Sequence, residues 1–166
     1  MRLALADLFK AHWTDQIHDE WINALLREGK HPRESLERVR VLMNAHVRDA
    51  LVTGYEPIID TIVLPDPDDR HVLAAAIRCG ADAIITFNIK DFPAAVLAPL
   101  NIEVIHPDDF IYYQLDMAPS VCCMAFRAQR AALKNPPLDV DTFLAALQRQ
   151  QLPQTVSCLR QFAEFL

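Results

Sequence analysis

Glycine is nearly absent from this chain. Its 166 residues include only Gly29, Gly54 and Gly80, so no glycine-rich loop exists to cradle a phosphate as P-loop and dinucleotide-binding folds do. Cysteine is also sparse. Cys79, Cys122, Cys123 and Cys158 have no C-x-x-C spacing, and they read as reduced, mostly buried thiols with no zinc site. No apolar run approaches the roughly 18–20 residues of a membrane span. The opening Met1-Arg2-Leu3-Ala4-Leu5-Ala6 is interrupted by Asp7 and Lys10 too soon for a secretory leader. No serine or cysteine stands beside a recognisable base, which sets aside a nucleophile of that kind. The expectation is a soluble cytoplasmic protein that makes no contact with membrane.

What is present is apolar and acidic. Hydrophobic residues make up 52% of the chain, enough for one domain with a full core and a small appendage. The net charge of −6 is unevenly spread: residues 1–116 carry 11 Lys and Arg against 19 Asp and Glu, and residues 117–166 carry 5 against 3. An acidic body argues against non-specific binding to long DNA as the main task. It does not exclude a nucleic acid, because divalent ions on carboxylates reverse the local field.

The chain is organised around residues 61–92, TIVLPDPDDRHVLAAAIRCGADAIITFNIKDF. The run Thr61 to Leu64 reads as a strand, Arg70 to Cys79 as a helix stopped by Gly80, and Ala83 to Thr86 as a second strand, together a parallel βαβ unit. Asn101 to Ile105 reads as a third strand. Three strands joined through helices make a thin sheet, as if one were missing. Helices are expected over Leu3 to Ala11, from an N-cap at Thr14 to about Arg27 with Ile17, Trp21, Ala24 and Leu25 inward, and from Pro32 to about Val47 with Leu36, Val39 and Met43 inward. The segment from Leu51 to Ile59 reads as an irregular connection. A short helix follows over Pro93 to Leu97, then one from Asp108 to Leu115 opened by His106-Pro107. Past a boundary at Asp116 to Pro119 everything reads as helical: Ser120 to Lys134, a break at Asn135-Pro136-Pro137, Val140 to Gln150, and Gln154 to Leu166.

In open parallel sheets the ligand site lies at the carboxyl ends of the strands. Here those exits carry Asp66, Asp68 and Asp69 after the first strand and Asn88 and Asp91 after the second. Carboxylates converging on one point favour a cation between them, although capping and the helix dipole would equally place acids in this first turn. Glu20 rides the edge of its helix's buried face. Arg70 and His71 open the central helix within reach of a phosphate, with solvent exposure the simpler account for both. Arg127, Arg130 and Lys134, at i, i+3 and i+7, would line one helix face as a basic stripe for RNA or an acidic partner, or as an ordinary solvated face.

The run Asp69 to Ala76, continued by Gly80 to Phe92 with its T-x-N-x-x-D-F pattern, resembles the distal half of a PIN domain, the ribonuclease fold of VapC-type toxins. Trp13 to Trp21 resembles the helix that carries that family's second acidic residue. Gln129 to Leu138 resembles a helical extension found in one VapC subgroup. The resemblance implies an α/β, three-layer α/β/α body over residues 1–116 with a parallel sheet, and a C-terminal helical extension over residues 117–166. It implies Glu20, Asp69 and Asp91 as catalytic metal ligands for Mg²⁺ or Mn²⁺, with Thr86 and Asn88 in support and Asp66 and Asp68 flanking. It further implies an endoribonuclease toxin acting on RNA, held by a cognate antitoxin and forming homodimers. The chain departs from the family in lacking the opening strand and its Asp. That departure leaves two expectations open: a start that truncates a longer protein, or a catalytically impaired remnant that binds antitoxin or RNA, or dimerises.

Overall fold

The computed structural model describes residues 2–134 and 136–166. Met1 and Asn135, the first residue of the expected break, lie outside the described residues. In chain order the elements are α1 (Asp15–Arg27), α2 (Arg33–His46), α3 (Glu56–Ile59), α4 (Arg70–Cys79), β1 (Ala83–Ile85), α5 (Ala94–Leu97), β2 (Glu103–Ile105), α6 (Pro107–Met117), α7 (Pro119–Ala132), α8 (Val140–Arg149) and α9 (Pro153–Arg160). The fold is α/β with a helical C-terminal extension. β1 pairs with β2. Glu103 N donates to Asp82 O at 2.9 Å and Thr86 N to Ile105 O at 3.1 Å, so register advances in the same sense on both strands and the pair is parallel.

The chain divides into two compact units. One comprises residues 10–84 and 88–104. Its core is built on Leu73, Ala74, Ile84, Phe92, Leu97 and Ile102. α4 supplies the centre: its small, apolar face is fully buried at Leu73 and Ala74, and the helix stops where Gly80 takes φ +66° and donates to Ala76 O and Ile77 O. A left-handed C-cap of this kind is the setting in which glycine costs least. Thr14 is the N-cap of α1, its hydroxyl accepting from Ile17 N at 3.1 Å. Trp13 Nε1 donates to Asn44 Oδ1 at 2.7 Å, His18 Nε2 lies 3.0 Å from the same oxygen, and Trp21 Nε1 donates to His18 Nδ1 at 3.0 Å. His18 is therefore a satisfied core histidine that ties α1 to α2.

Several sequence expectations are corrected in this unit. The run 61–64 enters no ladder among the described residues, although Ile62 and Leu64 are buried and Val63 is 82% exposed. The period-two alternation of a strand survives there, and what is absent among the described residues is a neighbour to pair with. Ala24 and Val39 face solvent, and the buried residues of α1 and α2 are His18, Ile22 and Leu36. The Trp13–His18–Asn44 network turns α1 by its polar contacts, an orientation that apolar periodicity does not register. The 51–59 segment includes the short helix α3 and a parallel bridge between Leu51 and Trp13.

The other unit comprises residues 1–9, 85–87 and 105–166. Its core joins Leu115, Cys122, Phe126, Leu144, Leu147 and Leu159. The cysteines are free thiols, with Cys122 and Cys123 buried, and burial pushes Cys122 up to about 11. Asp108 is 2% exposed, and its carboxylate accepts from Gln154 N and Thr155 N, both at 2.8 Å. A side chain at the start of α6 thus caps the N-terminus of α9. The expected helix over 3–11 is only a single tight turn at Ala4–Ala6, ended by Asp7 at φ +54°. One isolated turn gains too few hydrogen bonds to propagate, and Phe9 instead packs edge-on against Phe110 at 4.8 Å. The expected final helix ends at Arg160, followed by a turn at Ala163–Phe165. Among the described residues no helix is long and apolar enough to cross a membrane.

Candidate functional site

The acidic residues are delivered by three segments of one unit. Asp66, in extended conformation, caps the turn Pro67–Asp69 by accepting from Asp68 N at 2.9 Å. That turn runs directly into α4, so Asp69 sits at the N-cap of the helix and His71 in its first turn. Glu20 projects from α1, and Asp91 closes the turn Ile89–Asp91 after β1. The Asp69 carboxyl is held above its ordinary value of 3.8, first by burial and then by the charges of Asp66, Asp91 and Glu20, with His71 acting in the opposite sense. One half-buried acid therefore feels three other carboxylates, which brings Glu20, Asp66, Asp69 and Asp91 into one electrostatic neighbourhood. No group of three or more His, Cys, Asp or Glu among the described residues is placed to hold one metal ion.

The remaining sequence candidates fall in different places. Asp68 is exposed and Asn88 is exposed at the start of the turn that carries Asp91. Thr86 belongs to the other compact unit, where its N–H completes the β1–β2 pairing. Arg70 is half-buried and its Nε donates to Pro67 O at 3.0 Å, so part of its guanidinium braces the acidic turn. The basic stripe does not form as expected. Arg130 spends its donors internally, on Leu166 O at 3.1 and 2.9 Å and on Leu138 O at 2.8 Å. α7 ends at Ala132, because Leu133 is already extended, and Lys134 lies beyond the helix in a bridge to Pro137. Of the three, Arg127 is the one exposed on the helix.

His71 is corrected as well. It is 3% exposed, not solvated, and its Nε2 lies 2.7 Å from Glu20 Oε1. The signal was in the helical period: His71, Ala74 and Ala75 fall at i, i+3 and i+4, and all three are buried.

An α/β body with acids gathered at the start of its central helix, followed by a bundle of helices, defines the class. The chain belongs to the PIN domain family, whose model matches residues 1–90. A model described as the VapC50 C-terminal domain matches residues 107–161. Among curated proteins the chain is similar to "Putative ribonuclease VapC50" of Mycobacterium tuberculosis (strain ATCC 25618 / H37Rv), with 42% identity over 86 residues, 52% of this chain and 50% of that protein. The match thus spans about half the length of that relative. No solved structure matches the chain. The PIN match and the extension match together make this a VapC-type PIN protein with a C-terminal helical extension.

Proposed function

We propose that this chain is an endoribonuclease toxin of the VapC type that cleaves RNA phosphodiester bonds, with Glu20, Asp69 and Asp91 as its acidic centre. The observation that carries this reading is the delivery of acids by three segments of one unit, Asp66 and Asp69 at the turn into α4, Asp91 after β1 and Glu20 on α1, with the charges of the other three all acting on the Asp69 carboxyl. Such a cluster is costly when empty, and its all-oxygen donor set fits a hard divalent cation. Glu20, Asp69 and Asp91 would hold Mg²⁺ or Mn²⁺, which supplies Lewis acidity and charge neutralisation for phosphodiester hydrolysis when bound. The chain's own residues of the same unit would orient the scissile phosphate: Arg70 beside the acidic turn, Asn88 as a polar support, and Asp66 and Asp68 shaping the turn itself. The body over residues 1–116 would carry the chemistry. The extension over 117–166, with Arg127 exposed, would meet RNA or a partner. A cognate antitoxin covering the acidic centre, a homodimer and a cytoplasmic location complete the proposal.

One observation favours a second reading. Because no three ligating groups are placed together among the described residues, a PIN protein that binds antitoxin or RNA without cutting is the alternative. Cleavage of a structured RNA by the full chain with added Mn²⁺, against Asp69→Asn, separates the two. Mn²⁺-dependent cleavage that falls at least a hundredfold in the variant is expected. A folded wild-type chain that leaves the RNA intact would reject the nuclease and leave the binding protein.

A further inference from the structure

His71 stands beside the acidic centre without being one of its carboxylates. Its ring is 3% exposed, and it is held in the first turn of α4 beside Ala74 and Ala75 of the buried face. Nε2 lies 2.7 Å from Glu20 Oε1, while Nδ1 is buried with no hydrogen-bond partner among the described residues. With the Glu20 oxygen as the acceptor, Nε2 is the donor of this bond. Glu20 is a long side chain, 51% exposed on α1, and a glutamate free to rotate loses rotamer entropy on being fixed. The imidazole removes that freedom from an already immobile position. It also sits two residues beyond Asp69, so one helical turn sets Asp69 directly and Glu20 through the ring.

We propose that His71 is the positioning residue of the acidic centre: its buried Nε2–H aims the α1 carboxylate of Glu20 toward Asp69 at the N-cap of α4. The proposal rests on the reading of Glu20 and Asp69 as cation ligands, and outer hydrogen bonds of this kind typically change metal affinity by about 10–100-fold. Two measurements on the full chain test it separately from that reading. In ¹⁵N-labelled protein, with the His71 signals identified by their loss in His71→Gln, a slowly exchanging Hε2 proton is expected, and Glu20→Ala should abolish or markedly shift it. Mn²⁺ titration should then show His71→Ala binding at least tenfold more weakly. His71→Gln, whose amide nitrogen can occupy the Nε2 position, should recover most of the loss, which distinguishes aiming from mere packing. An Hε2 resonance indifferent to Glu20→Ala overturns the positioning role, as does a folded His71→Ala chain with wild-type Mn²⁺ affinity. If the wild-type chain binds no Mn²⁺ at all, the cation reading fails, and the Hε2 resonance alone decides whether His71 anchors Glu20.

Discussion

At the scale of single residues, Asp69 has the clearest energetic signature. Burial and three neighbouring carboxylates disfavour its ionised form in the folded chain, so its folded value lies above its unfolded one. Between those two values the native state holds more protons than the unfolded state, and stability falls as pH rises through the folded value. The sign therefore predicts that metal-free Asp69→Asn melts higher than wild type at pH 7, and that the gain disappears below the ordinary carboxylate value, where both forms are neutral. Melting temperatures of the two proteins at pH 7 and pH 3.5 check this. A variant that melts lower at pH 7 would mean that the carboxylates do not crowd one another. Sequence made these acids visible as types and positions, since Asp66, Asp69 and Asp91 follow apolar runs. The burial of His71 left its mark only in the helical period shared with Ala74 and Ala75, and a histidine in the first turn of a helix is compatible with solvent or core until the packing of α4 is known.

At the scale of elements, the C-terminal helices depend on a polar clamp as well as on apolar faces. Asp108 satisfies two N–H groups at the start of α9, where helix donors have no intrahelical partner. Asp108→Ala leaves both donors buried or half-buried without an acceptor, a loss of about 2–5 kcal/mol for two charge-assisted bonds. Asp108→Asn, which keeps one acceptor, should lose roughly half as much. Urea unfolding of the full chain followed by circular dichroism measures both, and equal stability of the three proteins would refute the clamp. Helices with their own local punctuation were legible: Thr14 opens α1 and Gly80 closes α4 as their chemistry dictates. The clamp was not, since Asp108 and Gln154 stand 46 residues apart and Asp108 is an ordinary first-turn acid by local rules.

At the scale of the whole molecule, two cores divide the work of stability. Leu73, 0% exposed, lies in the core around α4, and Leu159, also 0% exposed, lies in the core of the C-terminal helices. Each Leu→Ala change removes a filled core position and should cost about 2–5 kcal/mol. Their effects in the double variant should add within about 0.5 kcal/mol if the cores share no partners. Denaturant midpoints of the two single variants and the double variant give the comparison, and a coupling well beyond that margin would show one continuous core. The α/β class, the helical extension and the positions of the acids were determined by sequence alone, because they follow from local periodicity, from capping residues and from apolar runs ending in carboxylates. Only tertiary structure decided that residues 61–64 enter no ladder among the described residues, that Arg130 turns inward to Leu138 and Leu166, and that Glu20 meets His71. Each of those outcomes depends on a partner distant in the chain, and a hydrogen bond to a distant partner leaves no periodic mark on either segment.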